Sequence, residues 1–137
     1  MRFPRPKIAA EETIRTEGSN ALLLEDNALI SLDTGEILLG LGLGNIHTAQ
    51  SLKEARDLVN SVPLDVCVLD MIVGRKTSIE FARELVDRSI PFLFATGYGD
   101  KTTLPKDLRH APAVSKPYSR DSLIAAFRAL GMELRVS

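Results

Sequence analysis

The chain has 137 residues, a length that fits one domain with one sizeable core. Hydrophobic residues make up 45% of the chain and charged residues 26%, which excludes an intrinsically disordered protein. The formal net charge of −1 gives no reason to expect binding to nucleic acid or to an anionic membrane, and a single cysteine excludes an internal disulfide framework.

The first 19 residues differ from the rest of the chain. They contain two prolines, mixed charges and little hydrophobic periodicity, and their basic start is followed by no signal-peptide apolar stretch. We expect a mobile extension over 1–19, with a short helix around 9–15 as the alternative, and a folded domain over 20–137. No segment approaches the length of a membrane span, so we expect a cytoplasmic protein.

From residue 21 onward, short apolar runs alternate with helical patterns. The run "DVCVLD" is rich in β-branched residues and predicts a buried strand with an inert thiol at Cys67. Ser51 opens "SLKE" and Thr77 opens "TSIE", two capping-box patterns that predict helix starts, while Gly131 is placed to end the last helix. The predicted strands are 21–25, 44–50, 65–70, 91–96 and 111–115, and helical patterns begin near 27, 51, 77 and 119.

This alternation predicts an α/β fold: a three-layer sandwich with a parallel sheet covered on both faces. Five strands suit the flavodoxin-like order 2-1-3-4-5. One unit is irregular, because "GYGDKTTLPKDLRH" (97–110) has two glycines, an internal proline and no apolar stripe. We expect its helix, the fourth of the fold, to be short or disordered.

Polar residues stand where the predicted strands end. Glu25 and Asp26 follow the first strand, Asp70 ends the third, Thr96 ends the fourth and Lys116 follows the fifth. In an open parallel sheet these ends meet at one edge, where ligands bind. Each residue alone fits a helix cap or a turn, but the set predicts a site in which Mg²⁺ balances three carboxylates. An aspartate there can accept a phosphoryl group, and a lysine and a hydroxyl can bind its oxygens.

At this point the motifs "LLLEDN", "VCVLDMIVG", "FATG" and "SKPYS" resemble the receiver domain of bacterial response regulators, over about residues 20–131. The resemblance implies a CheY-like fold and a role for each matching residue. These roles are Asp70 as phosphoacceptor, Glu25 and Asp26 with the backbone carbonyl of Ile72 as the other Mg²⁺ ligands, Thr96 as the switch hydroxyl, Lys116 as the phosphoryl-pairing lysine, and Pro117 after a cis bond.

The stretch "PFLFATGYG" narrows the resemblance to the FAT GUY subfamily of single-domain response regulators, which have a reduced fourth helix and often act in general stress or light signalling. One position departs from the pattern. Ala113 stands three residues before Lys116, where receivers usually carry an aromatic switch residue. Either Tyr98 substitutes for that residue, or reordering of 97–110 is the switch.

Two functions fit these residues. The first is a single-domain response regulator that accepts a phosphoryl group from a histidine kinase or phosphotransfer protein and switches protein–protein interactions or drains phosphate from a kinase. The alternative is a phosphorylation-independent docking module for a kinase or an anti-sigma-type partner. No output domain is expected, because the chain ends six residues after Gly131. We expect a monomer, and no enzyme beyond Mg²⁺-dependent self-phosphorylation and autodephosphorylation.

A flavodoxin-like enzyme or nucleotide binder is disfavoured. The acidic strand exits would repel a phosphate without a metal, and "GLGLGN" (40–45) follows a helix rather than a strand, so it predicts a helix stop and not a dinucleotide-binding loop.

Overall fold

The fold is built on a parallel sheet of five strands. The computed structural model describes residues 18–97 and 104–134 and, for the backbone alone, Ile14 and Arg15. The strands are β1 (Asn20–Leu24), β2 (Asn45–Ala49), β3 (Val66–Asp70), β4 (Phe92–Thr96) and β5 (Ala113–Ser115). Their order in space is β2-β1-β3-β4-β5, with every neighbouring pair parallel, so the predicted topology is confirmed.

Helices cover both faces of the sheet. They are α1 (Ala28–Gly40), α2 (Leu52–Ser61), α3 (Ile79–Asp87) and α4 (Arg120–Ala129). Leu38 of α1 and Phe127 of α4 lie in one buried cluster, whereas Val59 of α2 and Phe81 of α3 lie in the other. The predicted three-layer sandwich is therefore confirmed.

The strands divide their side chains between these two clusters by alternation. Leu22 and Leu24 enter the cluster under α2 and α3, and Ala21 and Leu23 enter the cluster under α1 and α4. All five residues of β3 are buried, which explains the continuous apolar run, and burial raises the pKa of the Cys67 thiol. Cys67 is thus buried, as predicted, and its inert role stays a prediction that burial supports.

Three of the four predicted helix starts carry a capping side chain, at Asn27, Ser51 and Ser119. The Ser51 hydroxyl accepts the Glu54 amide at 3.1 Å, and Ser119 forms a capping box with Ser122 at the start of α4. The predicted capping box at Thr77 is wrong. Thr77 pairs with Ile72 in a short antiparallel hairpin, Ile72–Val73 with Lys76–Thr77, and so cannot cap α3.

The segment between β4 and β5 contains no α-helix in its described part, 104–112. A single 3-10 turn spans Lys106–Leu108, and the buried side chains of Leu104 and Leu108 anchor it to the core. Arg83 of α3 also binds both carboxylate oxygens of Asp107, at 3.0 and 3.2 Å. A reduced fourth helix is confirmed for this part, and residues 98–103 lie outside the described residues.

The two ends of the described chain lie side by side. Ile14–Arg15 forms a short parallel pair with Met132–Glu133, after Gly131 ends α4 with a φ of 83°, as predicted. Residues 1–13 and 16–17 lie outside the described residues, so the expectation for 1–19 stays a prediction. No helix in the described part of the chain combines the length and the apolarity needed to cross a bilayer.

Candidate functional site

The candidate site lies at the carboxyl edge of the sheet, where four neighbouring strands end. Leu24 of β1 is in register with Leu69 of β3, so Glu25 and Asp70 follow side by side. Asp70 in turn is paired with Ala95, the residue before Thr96. The Lys116 amide donates to the Thr96 carbonyl at 2.8 Å, which closes the crevice on the β5 side.

Three carboxylates meet at the base of this crevice. One ligand atom from each of Glu25, Asp26 and Asp70 lies within 4.8 Å of the others. Glu25 is 1% exposed and Asp70 is 7% exposed, whereas Asp26 reaches solvent. Carboxylates packed this closely repel one another in a low-dielectric site, and an all-oxygen set of this kind is what Mg²⁺ prefers. The residues present therefore fit a divalent cation.

Lys116 supplies the one positive charge that touches this group among the described residues. Its Nζ donates to Glu25 Oε1 at 2.7 Å and to Asp70 Oδ2 at 2.9 Å. Burial alone would lower the pKa of Lys116, but its hydrogen bonds to the two carboxylates outweigh burial and raise it. One ammonium against three carboxylates leaves a net negative charge, which a divalent cation would balance.

The surroundings of Asp70 disfavour its charged form. Burial raises its pKa to about 6, the Lys116 ammonium opposes that shift, and the nearby Glu25 charge adds to it. In the absence of metal, the charged form of Asp70 is therefore less stable than that of an exposed aspartate. An added positive charge next to Asp70 would stabilise it.

Thr96 supplies a hydroxyl without a partner. The side chain is 4% exposed, and its Oγ1 has no hydrogen-bond partner among the described residues. Buried hydroxyls are rarely left unpaired, because each loses its bonds to water on folding. The hydroxyl is therefore available to a ligand oxygen in the crevice.

The loop after β3 is tied to the site by contacts that the sequence did not reveal. The buried Ser78 hydroxyl donates to the Asp70 carbonyl at 2.7 Å, and the Gly74 amide donates to Asp26 Oδ2 at 3.0 Å. Gly74 has a φ of 65°, the left-handed conformation that a tight hairpin turn requires. Its glycine was the available signal for this hairpin, which carries Ile72. The role of the Ile72 carbonyl as a ligand stays a prediction.

Tyr98 and Pro117 are the predicted switch residues, and Ala113 is the position that departs from the receiver pattern. Tyr98 lies outside the described residues, and the Lys116–Pro117 bond is cis, as the resemblance implies. Ala113 is paired with Phe94 and packs against the core, so no aromatic ring occupies its place in β5. Sequence reasoning also missed Tyr118, whose hydroxyl lies 2.6 Å from Thr34 Oγ1.

Comparison with known sequences decides the family. The sequence profile of the response regulator receiver domain matches residues 21–128. The chain belongs to this family. Among curated receiver proteins, the transcriptional regulatory protein PdtaR of Mycobacterium tuberculosis is 30% identical over 120 residues, or 85% of this chain and 56% of PdtaR. Response regulator RR06 of Streptococcus pneumoniae is 27% identical over 81% of this chain and 52% of its own length. The chain thus spans about half the length of these curated relatives.

Solved structures support the same assignment for the fold. The solution structure of SdrG from Sphingomonas melonis Fr1 is 30% identical, with a TM-score of 0.71 over 82% of this chain and 96% of SdrG. A BeF3-activated conformation of SdrG is 28% identical, with a TM-score of 0.69 over 84% and 98%. The PhyR receiver domain of Erythrobacter litoralis, at 21% identity, gives a TM-score of 0.70 over 83% of this chain and 91% of that one.

Proposed function

We propose that this receiver domain accepts a phosphoryl group on Asp70 from a histidine kinase or phosphotransfer protein and thereby changes its affinity for a partner protein. The observation that carries the proposal is the unpartnered Thr96 hydroxyl beside three carboxylates and Lys116. An acidic cluster alone fits a simple metal site. A buried, unpartnered hydroxyl at the end of the neighbouring strand and an ammonium bound to Asp70 fit a metal site that also holds an anion with several oxygens.

The transfer needs little covalent chemistry from the protein. A carboxylate oxygen of Asp70 attacks the phosphorus of a phosphohistidine, the P–N bond breaks, and the imidazole nitrogen leaves with the electron pair and takes a proton from water. Glu25, Asp26, Asp70 and the Ile72 carbonyl would hold Mg²⁺, which would neutralise the charge of the phosphoryl oxygens. Lys116 would exchange its carboxylate partner on Asp70 for a phosphoryl oxygen.

Thr96 would then report the phosphoryl group to the rest of the domain. A hydrogen bond from its hydroxyl to a phosphoryl oxygen exists only in the phosphorylated state, so it can shift a conformational equilibrium. The shift acts on the chain that follows at Gly97. From Leu104 onward the segment is fixed by buried leucines and by the Arg83–Asp107 pair.

The partner that donates the phosphoryl group would dock on α1. This helix is capped by Asn27, immediately after the acidic pair, and its buried positions are Ser31, Thr34 and Leu38. Leu29, Leu32 and Leu39 are 74%, 64% and 54% exposed, and Ile30 is 37% exposed. An apolar patch beside a reactive site is typical of a protein-binding surface. It suits a helix of a kinase or phosphotransfer protein.

Several narrower statements belong to the same proposal. The "FATGYG" motif supports membership of the FAT GUY subfamily, with roles in general stress or light signalling or as a phosphate sink. The protein would catalyse only its own phosphorylation and dephosphorylation. Absence of nucleic-acid and membrane partners, a monomeric state and a cytoplasmic location remain predictions.

A two-dimensional NMR titration tests the proposal. Spectra are recorded with Mg²⁺ alone and then with beryllofluoride, a phosphoryl mimic, on the wild-type protein and on Asp70→Asn. We expect beryllofluoride to shift Asp70, Thr96, Lys116 and the residues after Gly97 in the wild type only. If beryllofluoride produces no shifts while Mg²⁺ does, the phosphoryl switch is refuted and the constitutive docking module becomes the better account.

A further inference from the structure

A tyrosine hydroxyl connects the loop that carries Lys116 to helix α1. Tyr118 is half-buried, and its hydroxyl oxygen lies 2.6 Å from Oγ1 of Thr34, which is 1% exposed in the middle of α1. Either oxygen can be the donor. This is a short hydrogen bond between residues 84 positions apart in sequence.

The bond joins two segments that the site itself already joins. Thr34 lies in α1, the helix that follows Glu25 and Asp26. The Asn27 side chain caps the N-terminus of α1 by accepting a hydrogen bond from the Leu29 amide at 3.0 Å. Tyr118 follows Lys116 by two residues. The Lys116–Glu25 contact of 2.7 Å and the Tyr118–Thr34 contact of 2.6 Å therefore form two bridges between the same pair of segments.

The two contacts differ in how firmly each one fixes the backbone that carries its side chain. The lysine side chain is long and flexible, and its ammonium can bind in many geometries. A tyrosine has a rigid ring and only two side-chain torsions, so a fixed hydroxyl fixes the backbone that carries it. Burial raises the pKa of Tyr118, which keeps its hydroxyl protonated and able to bond at neutral pH.

We propose that Tyr118 is a positioning residue for the phosphoryl site: its hydroxyl, bound to Thr34, holds the Lys116 loop where the ammonium reaches both Glu25 and Asp70. The role rests on the proposed phosphoryl-accepting function. It acts through Lys116 and needs no contact between Tyr118 and the phosphoryl group.

Packing of the aromatic ring is the competing explanation for Tyr118. The ring contributes to the apolar cluster under α1 and α4, and phenylalanine would preserve that contribution. Tyr118→Phe removes the hydroxyl alone. Thr34→Val removes the other end of the same bond at nearly constant volume.

The test measures beryllofluoride affinity at saturating Mg²⁺ by NMR titration of the full chain, for each variant and for the double variant. We expect each single change to weaken binding about 3- to 10-fold, the effect of losing one hydrogen bond. The double variant should bind beryllofluoride no more weakly than the single variant with the lower affinity, because both changes remove the same hydrogen bond. The matched control is Arg56→Met, which breaks the Arg56–Glu84 ion pair on the opposite face of the sheet and should leave affinity unchanged.

A second readout separates this proposal from the proposed function. In metal-free protein without beryllofluoride, the ammonium signal of Lys116 should be sharp in the wild type and broadened in Tyr118→Phe, because the lysine loses its fixed place. Wild-type protein that fails to bind beryllofluoride would overturn the proposed function, and the Lys116 signal would still decide the positioning role. Variants with wild-type affinity and an unchanged Lys116 signal, even if less stable, would overturn the positioning role and leave packing as the explanation.

Discussion

Neutralising Asp70 should stabilise the metal-free protein, because the site is built around a charge that the fold alone does not balance. The pKa of Asp70 rises from 3.8 to about 6 on folding, chiefly through burial. After a discount for the partial access of this carboxylate to solvent, the rise corresponds to a penalty on the order of 2 kcal/mol on the charged form. Asn at this position also weakens the attraction to Lys116, so we expect Asp70→Asn to gain about 1–2 kcal/mol in free energy of unfolding.

The sign of the pH dependence follows from the raised pKa. Between about pH 4 and pH 6 the folded protein binds more protons at Asp70 than the unfolded chain does, so ionisation there lowers stability as pH rises. The stability advantage of Asp70→Asn should therefore be full at pH 7.5 and should shrink as pH falls toward 4. Added Mg²⁺ should also shrink it, because Mg²⁺ binds the folded wild-type site.

Urea unfolding measures the free energy of unfolding of the wild type and of Asp70→Asn. Far-ultraviolet circular dichroism follows it, because the chain has no tryptophan to report by fluorescence. The scans are run in a chelator at pH 7.5 and pH 5. Asp33→Asn, which neutralises an exposed carboxylate on α1, is the control and should change stability little. An Asp70→Asn protein no more stable than wild type at pH 7.5, or an advantage that does not depend on pH, would refute the reasoning.

Two further predictions concern the output and input of the proposed switch. Thr96→Val removes an unpartnered buried hydroxyl, so we expect stability to hold or rise by up to about 1 kcal/mol while the beryllofluoride shifts beyond Gly97 disappear; a clear loss of stability would show that the hydroxyl has a structural partner. Leu32→Glu places a charge in the exposed apolar patch of α1, so phosphotransfer from the cognate kinase should slow about 10-fold or more while beryllofluoride binding stays normal. Unchanged phosphotransfer would place the docking surface elsewhere.

The exits of the strands were readable from the sequence because parallel topology leaves little freedom. Once β1, β3, β4 and β5 were recognised as buried runs, the residues at the end of each run had to lie at the same edge of the sheet. Glu25, Asp70 and Thr96 could therefore be grouped without coordinates. Their chemical roles came from residue type and resemblance, and those roles are for the experiments above to test.

Contacts across distant segments were not readable in this way. The sequence predicted a capping box at Thr77, but residues 72–77 form a hairpin whose next residue, Ser78, bonds the Asp70 carbonyl. A Thr-x-x-Glu pattern and a hairpin compete for the same residues, and pairing with Ile72 decides between them. The extension showed little periodicity, yet Ile14–Arg15 pairs with Met132–Glu133.

The sequence by itself determined the layers, the strand order and the identity of the residues at the carboxyl edge. Hydrophobic periodicity and the order of elements along the chain can be read without knowing how the side chains pack. Only the tertiary structure decided that the Thr96 hydroxyl has no partner among the described residues, that Lys116 bridges Glu25 and Asp70, and that Tyr118 reaches Thr34. Those facts depend on distances of 3 Å between side chains from different elements, and such distances are set by how the whole core packs.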